Sequence, residues 1–452
     1  MESIETVTQR MRAQGNQPAV FWRNAWLSYD DLFTLIEEWR QRLHDRNIGH
    51  GSVIGLYGDY SPNTIALVYA LMEERAVIVP FTRAVERELP GLMKIAGVER
   101  LFRFADNDAW SEEVFSSAHR PDLIERFLER DTPGLVVFSS GSSGQPKGIL
   151  QDCERVMRKF VTPRDSWRTV LFLMIDHFGG FNTLLGTFAY GGGAVCVEER
   201  LPESVCRAID SAQAGLLPTT PTFLNLVIAS GCAKDFDLSS LKLITYGTEM
   251  MPEETLRKLD TLFPEARVKQ TYGLSELGVL RSKTMDEKST WLKIGGDGFE
   301  TKVVDNQLWI RSEANMVGYL NAPDPFDADG WMNTGDRVEV KGDLVRFLGR
   351  ESDIINVGGQ KVFPAEVEGV LLQADNVSEA TVYGVDNRLL GKVVEARVIL
   401  SGDEDEESAV KRLRVHCLEY LAKFKVPARI RLASPDEIRS GRFKKIRRFE
   451  AE

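Results

Sequence analysis

The chain has 452 residues, 43% of them hydrophobic and 27% charged, with a net charge of -11. That length exceeds a single ordinary core, so two or three domains are expected, and the composition is that of a globular protein. The negative balance argues against a nucleic-acid partner, and no apolar run reaches the ~18 residues of a membrane span.

In chain order, the N-terminal "MESIETVTQR" lacks the basic-then-apolar pattern of a signal peptide. "SVIGLYG" (Ser52–Gly58) reads as a buried strand, "NTIALVYALMEE" as a helix and "AVIVPF" (Ala76–Phe81) as a second strand. "GLVVFSS" (Gly134–Ser140) is a third strand, and "GGGAVCVEE" contains a fourth. This alternation predicts parallel βαβ units. From about residue 290 the texture changes: "ETKVVDNQLWIRSE" and "DRVEVKGDLVRFLGR" carry short alternating strands around "DN" and "KGD" turns and predict antiparallel hairpins. The pattern resets at Arg350–Asp353, and a small α+β segment follows, with a helix in "EESAVKRLRVHCLEYLAKF". A division into 1–350 and 351–452 is therefore expected. The five cysteines (Cys153, Cys196, Cys206, Cys232, Cys417) are scattered without a CxxC pair, which disfavours a disulfide framework or a structural zinc site. A reducing cytoplasm is the expected location.

The stretch "SSGSSGQPKG" (Ser139–Gly148) resembles a linker until Pro146 and Lys147. It follows a strong strand and leads into "GILQDCERVMRKF", which reads as a strand end and a helix. Gly141, Gly144 and Gly148 let backbone N–H groups approach an anion. Ser139, Ser140, Ser142 and Ser143 add hydroxyls, and Lys147 adds a full positive charge. The GxxxxGK[ST] pattern of nucleotide hydrolases is not met, because Pro146 stands where its second glycine belongs.

This loop resembles the phosphate loop of the acyl-adenylating superfamily: acyl- and aryl-CoA ligases, peptide-synthetase adenylation domains and luciferases. Further motifs follow in that family's order. "QTYGLSE" (Gln270–Glu276) resembles YGxTE, "NTGD" (Asn333–Asp336) resembles TGD, and "GRESDIINVGGQKVFPAEVE" (Gly349–Glu368) resembles the family's hinge region. "NAWLSYDDL" and "TTPTFLNLV" (Thr219–Val227) are weaker echoes. The resemblance covers nearly the whole chain. It implies a large N-terminal domain of βαβ layers with a small β-barrel-like subdomain, then a mobile α+β C-terminal domain.

The resemblance also implies site residues. Tyr272 is suited to stack on adenine, with Gly273 allowing close passage. Ser275 stands where the family usually has Thr and keeps the hydroxyl. Glu276 is suited to Mg²⁺, Asp336 to the ribose hydroxyls, and Arg350 to ribose and phosphate. In the tail "DEIRSGRFKKIRR" (Asp436–Arg448) an ungapped reading puts Lys445 at the family's catalytic lysine, although Lys444 replaces its glycine; a shifted reading puts Arg442 there. The hinge maps to Ser352, which departs from the family's Asp or Lys. "NVGGQK" (Asn356–Lys361), with Gly358, Gly359 and Lys361, maps to the loop that meets the thiol acceptor. The predicted catalytic set is Lys445, Lys147 and Glu276.

For the acid, "FLMIDHFGGFNTLLG" lacks the FDxS context of amino-acid-activating members despite Asp176, so His177 is expected at the pocket wall; a satisfied core histidine is the alternative. "YGTEMMP" (Tyr246–Pro252) resembles a strand end lining acid and adenine, which adds Tyr246, Gly247 and Thr248, with Met250 and Met251 as soft wall or core. The chain is shorter than is common in the family, which implies a short or open acid tunnel. The expected reaction is ATP- and Mg²⁺-dependent activation of a carboxylic acid to an acyl-adenylate, then transfer to coenzyme A. A free-standing enzyme loading an acyl or peptidyl carrier protein is the alternative, and a non-catalytic nucleotide binder a third reading. Arg442, Lys444, Arg447 and Arg448 suit either acceptor, and the sequence names no acid.

Overall fold

The structure is a computed structural model, and it describes residues 1–115, 119–139, 145–280, 282–284 (backbone only), 289–296, 298–438 and 445. Two seven-stranded sheets form the larger part of the fold. The first runs, edge to edge, through Arg267–Gln270, Leu243–Tyr246, Leu216–Thr219, Arg168–Val170, Gly193–Val195, Pro18–Trp22 and Ala25–Ser28. Its pairs are parallel except the last, a hairpin. The second runs through Gly318–Tyr319, Lys147–Asp152, Gly134–Ser139, Val77–Phe81, Val53–Tyr57, Arg100–Phe104 and Trp110–Val114, with a parallel centre and antiparallel edges.

One apolar cluster joins the two sheets. It draws Val20 and Ala194 from the first and Ile54, Leu56, Ile78 and Val137 from the second, around the helices between them. The helix Pro62–Glu73 shows why the sequence reads as it does there. Residues Thr64 to Met72 are all buried, so the helix lacks a polar face. It starts cleanly because the Ser61 hydroxyl accepts from Thr64 N and Pro62 occupies the first turn. A second cluster covers the other face of the first sheet, and a third that of the second sheet.

The two predicted hairpins lie in a six-stranded antiparallel sheet. Asp305 and Asn306, both at positive φ, turn Phe299–Val304 into Gln307–Ser312, and Gly342 turns Met332–Lys341 into Leu344–Arg350. Across the turn Glu351–Asp353 the chain leaves this sheet for a five-stranded one with its own apolar cluster, flanked by the helices Pro364–Leu371 and Glu406–Tyr420.

One local expectation changes. "GILQD" is a full strand, Lys147–Asp152, lying antiparallel on Gly134–Ser139; only then comes the short helix Cys153–Met157. The glycine-rich loop therefore joins two antiparallel strands and does not open onto a helix N-terminus.

Candidate active site

The loop is closed by the register Ser139↔Lys147 and Phe138↔Gly148. Ser140, Gly141, Ser142, Ser143 and Gly144 lie outside the described residues. Its exit is held by the segment Gly318–Asn321. Tyr319 pairs with Ile149, and Leu320 N donates to Gly148 O at 2.8 Å. Gly148 N donates to Asn321 Oδ1 at 3.0 Å, and Asn321 Nδ2 donates to Pro146 O at 2.9 Å. Lys147 Nζ then stands 5.0 Å from the centroid of the Tyr319 ring.

Tyr319 reaches the second motif as well. Its hydroxyl donates to Glu276 Oε1 at 2.7 Å. Burial and the Glu276 charge push the phenol far above its ordinary pKa, so it remains a proton donor. Met316 N donates to the Glu276 carbonyl at 2.8 Å, and Gln151 Nε2, on the strand that leaves the loop, donates to the Ser275 carbonyl. Glu276 follows the strand Tyr272–Leu274, which pairs with Gly278–Leu280. A Cβ at Gly273 would lie 2.8 Å from Gly278 O and 2.8 Å from Val279 Cα, so this pairing requires glycine. Lys147 and Glu276 are thus brought to one locus. Among the described residues no group of three or more His, Cys, Asp or Glu side chains is placed to hold a metal ion. A single half-buried carboxylate fits Mg²⁺, which takes its other ligands from phosphate and water.

The third motif adjoins the second. Asp336 is strand-paired with Arg350, whose Nε lies 3.2 Å from Asp336 Oδ1. Tyr272 donates its hydroxyl to Asp336 Oδ2 at 2.6 Å. Burial raises the Asp336 pKa, against the lowering pull of Arg350 and the Tyr272 hydroxyl. Each carboxylate oxygen keeps a lone pair for a further donor, as a diol requires. The Tyr272 ring is stacked on Phe347 with centroids 4.5 Å apart and planes at 16°. One face of the ring is therefore covered.

The expected acid pocket is mixed. Tyr246 ends its strand with its ring buried in the apolar cluster of the first sheet, alongside Met251. Its carbonyl accepts from Thr271 N at 2.7 Å and from Thr271 Oγ1 at 3.0 Å. A Cβ at Gly247 would lie 2.9 Å from Thr271 Oγ1, and Thr248 sits at φ 69°. This tight turn aims Glu249, which accepts from Thr222 N at 3.2 Å and from Thr222 Oγ1 at 2.6 Å. Met250 packs instead against the cluster of the six-stranded sheet. His177 caps the helix Phe178–Ala189, half-buried, next to buried Asp176, whose Oδ2 accepts from Thr82 at 2.9 Å. Beside them Arg200 and Asp59 form an ion pair that links the ends of the two sheets, with Arg200 Nη2 donating to Asp59 Oδ1 at 2.8 Å.

Lys445 touches this region through its backbone alone, and its ammonium is turned to Glu368 in the helix Pro364–Leu371. Its backbone N donates to Glu249 Oε1 at 3.0 Å, and its Nζ lies 2.8 Å from Glu368 Oε2. Glu368 also accepts from Val382 N at 3.0 Å. Arg442, Lys444, Arg447 and Arg448 lie outside the described residues. Ser352 bonds Asp353 within the turn Glu351–Asp353, at 2.9 Å. Gly358 and Gly359, at φ 56° and 85°, form a two-residue hairpin tip, and Lys361 beside it donates to Glu351 of that turn at 3.3 Å.

Tyr319, Asn321 and Phe347 carry no family motif, while Glu249 and Glu368 stand inside the quoted "YGTEMMP" and "PAEVE" stretches without having been assigned a role. Each acts across a long sequence separation, and only "GY" after the last strand of the motif region hints at Tyr319.

The glycine-rich hairpin, the hairpin that carries Glu276 and the Asp336–Arg350 pair thus lie together, and the comparisons give the class of enzyme: an AMP-forming ligase. The chain matches the AMP-binding enzyme family over residues 7–320 and the C-terminal domain of AMP-binding enzymes over 366–442. It belongs to the AMP-binding enzyme family. It is 29% identical over 347 residues to a 2-succinylbenzoate–CoA ligase of Bacillus licheniformis, covering 70% of this chain and 69% of that one. It is 25% identical over 484 residues to an indoleacetate–CoA ligase of Aromatoleum aromaticum, covering 95% and 94%. The fold matches an anthranilate CoA ligase bound to anthranoyl-AMP, with TM-score 0.81, 19% identity and coverage of 95% and 93%. It also matches the o-succinylbenzoate CoA synthetase of Bacillus subtilis in complex with its acyl-adenylate, with TM-score 0.77, 19% identity and coverage of 98% and 96%. Among the described residues no helix is long and apolar enough to cross a membrane.

Proposed function

We propose that this protein joins a carboxylic acid to coenzyme A through an acyl-adenylate. The observation that carries the reading is the convergence of Lys147 and Glu276 through Tyr319. A carboxylate is a poor electrophile, and attack on the α-phosphate of ATP converts it to a reactive mixed anhydride. The barrier falls when charge on the transferring and leaving phosphates is met by fixed groups. Lys147 supplies a cation there, Ser139 and the loop hydroxyls supply donors, and Glu276 would hold Mg²⁺, which would neutralise phosphate charge. Tyr272 and Gly273 form the adenine wall, with Ser275 closing the turn. Asp336 accepts from the ribose diol, and Arg350 fixes Asp336 and faces the phosphates. His177, Gly247 and Thr248 border the acid; Tyr246 supports that border from the core.

Lys445 serves the first half-reaction. The bond from its backbone to Glu249 supports this, since Glu249 follows Thr248 directly. The segment 351–452 acts as a unit that turns at Ser352, withdrawing Lys445 and bringing Gly358, Gly359 and Lys361 toward the thiol. Coenzyme A is favoured over a carrier protein by the CoA ligases among the relatives.

The test is acid-dependent ATP–pyrophosphate exchange over a panel of acids, followed by thioester formation with coenzyme A or holo-carrier protein. Exchange with no acid in the panel refutes a broad acyl ligase, and turnover with carrier protein alone refutes coenzyme A as acceptor.

A further inference from the structure

All five cysteines are free thiols. Cys153, Cys196, Cys206 and Cys417 are buried, and Cys232 is half-buried. Cys206 lies in the helix Pro202–Ala212, and Cys232 opens the short turn Cys232–Asp235 that follows the helix Pro221–Ser230. Their Sγ atoms are 4.0 Å apart. Ser230 Oγ lies 3.2 Å from Cys232 Sγ, at the half-buried end of the pair. Cys206, only 2% exposed, is shielded from any direct reagent and faces Cys232.

We propose that Cys206 and Cys232 form a reversible disulfide under the action of a low-molecular-weight disulfide. The Cys232 thiolate attacks one sulfur of the reagent. A mixed disulfide forms, the reagent's S–S bond breaks, and one thiolate leaves. The Cys206 thiol then loses its proton and attacks Cys232 Sγ; the protein disulfide forms and the second thiolate leaves. Two protein thiols are oxidised by two electrons, the reagent's disulfide is reduced by two, and two protons pass to the departing thiolates. The second step is slow, because burial and the neighbouring sulfur push the Cys206 thiol pKa upward.

The bridge acts on a particular part of the fold. It closes the loop that contains the strand Leu216–Thr219 and the helix Pro221–Ser230. That helix begins at Thr220 and presents Thr222 to Glu249, so the cross-link constrains the element that positions Glu249.

The experiment treats the purified full chain with oxidised glutathione, then denatures it and counts thiols. Three thiols, a linked Cys206–Cys232 peptide and return to five with dithiothreitol are expected. Cys232→Ser is expected to show four thiols before and after treatment. The oxidised wild type is expected to unfold several degrees higher than the reduced form, a gain absent in Cys232→Ser. Five thiols after treatment, a glutathione adduct left on Cys232, a bridge to another cysteine or a lower unfolding temperature each overturn the proposal.

Discussion

Tyr319 donates its hydroxyl to Glu276 Oε1 at 2.7 Å, while the same ring lies beneath the Lys147 ammonium. One side chain thereby sets the distance between the loop cation and the acidic motif, although each of its partners was identified separately. Tyr319→Phe keeps the ring and removes only the bond to Glu276. A hydrogen bond to a charged group contributes about 1.5–3 kcal/mol. Adenylate formation is therefore expected to fall roughly tenfold or more, with thioester formation from supplied acyl-adenylate little changed. Tyr319→Leu also removes the support of Lys147 and is expected to raise the KM for ATP further. Pyrophosphate exchange at varied ATP measures both, and wild-type exchange in Tyr319→Phe rejects the positioning role.

Gly273 offers a steric test. A methyl group there meets Gly278 O and Val279 Cα at 2.8 Å, both of them backbone. Neither atom can rotate away, so the two strands must separate, at a cost of about 1–3 kcal/mol. Tyr272 and Glu276 ride on that hairpin, and both shift with it. Gly273→Ala is expected to lower the unfolding temperature and abolish measurable exchange. Ser275→Thr, which keeps the hydroxyl, is expected to stay within a few-fold of wild type. Full activity in Gly273→Ala, checked with folding by circular dichroism, contradicts the close-packed hairpin.

These two cases show what the sequence displayed and what it withheld. The parallel strands were legible because each is a short apolar run bounded by turns. The hairpins at Asp305–Asn306 and Gly342 were legible because positive φ selects those residues. Lys147, Glu276, Asp336 and Arg350 stood out because their motifs keep fixed spacing. Tyr319 and Asn321 did not, because their partners lie many residues away and local pattern carries no trace of them; Glu249 stood inside "YGTEMMP", but its partner Thr222 could not be read there. The Tyr246 ring packs in the core because alternation along its strand turns it there. The strand after the loop was legible in "GILQD", but its antiparallel pairing with Gly134–Ser139 was not, since local pattern does not name a strand's partner.

Asp336 yields a pH prediction. Its folded pKa lies above the ordinary 3.8, with burial the largest cause. A carboxyl with a raised folded pKa stabilises the fold when protonated. That contribution is complete below the unfolded pKa and is lost as pH rises through the folded value. Near neutral pH the ionised group therefore weighs against folding. Asp336→Asn removes that weight. Arg350, its partner, has a side chain 53% exposed and loses little. The variant is expected to be at least as stable as wild type at neutral pH, with its advantage shrinking as the medium is acidified. ATP affinity is expected to fall at every pH. Thermal melts across the acid-to-neutral range check the sign, and an advantage that grows toward acid contradicts it.

Lys445 is held by two carboxylates in different ways, and the difference separates its chemistry from its docking. Glu249 takes its backbone N–H, while Glu368 takes its ammonium in a pair whose side chains are 12% and 3% exposed. Lys445→Ala removes the ammonium bonded to Glu368, and breaking a buried pair of this kind costs about 3 kcal/mol. The same substitution is expected to abolish adenylate formation while largely sparing thioester formation from supplied acyl-adenylate. Glu368→Gln keeps an acceptor for Val382 N and releases the ammonium. If the pair only stores Lys445, that variant keeps or raises exchange activity. The double variant Lys445→Ala with Glu368→Gln recovers no adenylation. Melting curves and the two half-reactions measured on all three proteins decide the matter. Equal loss of both half-reactions in Lys445→Ala, or adenylation regained in the double variant, removes Lys445 from the catalytic set and leaves it a structural tether.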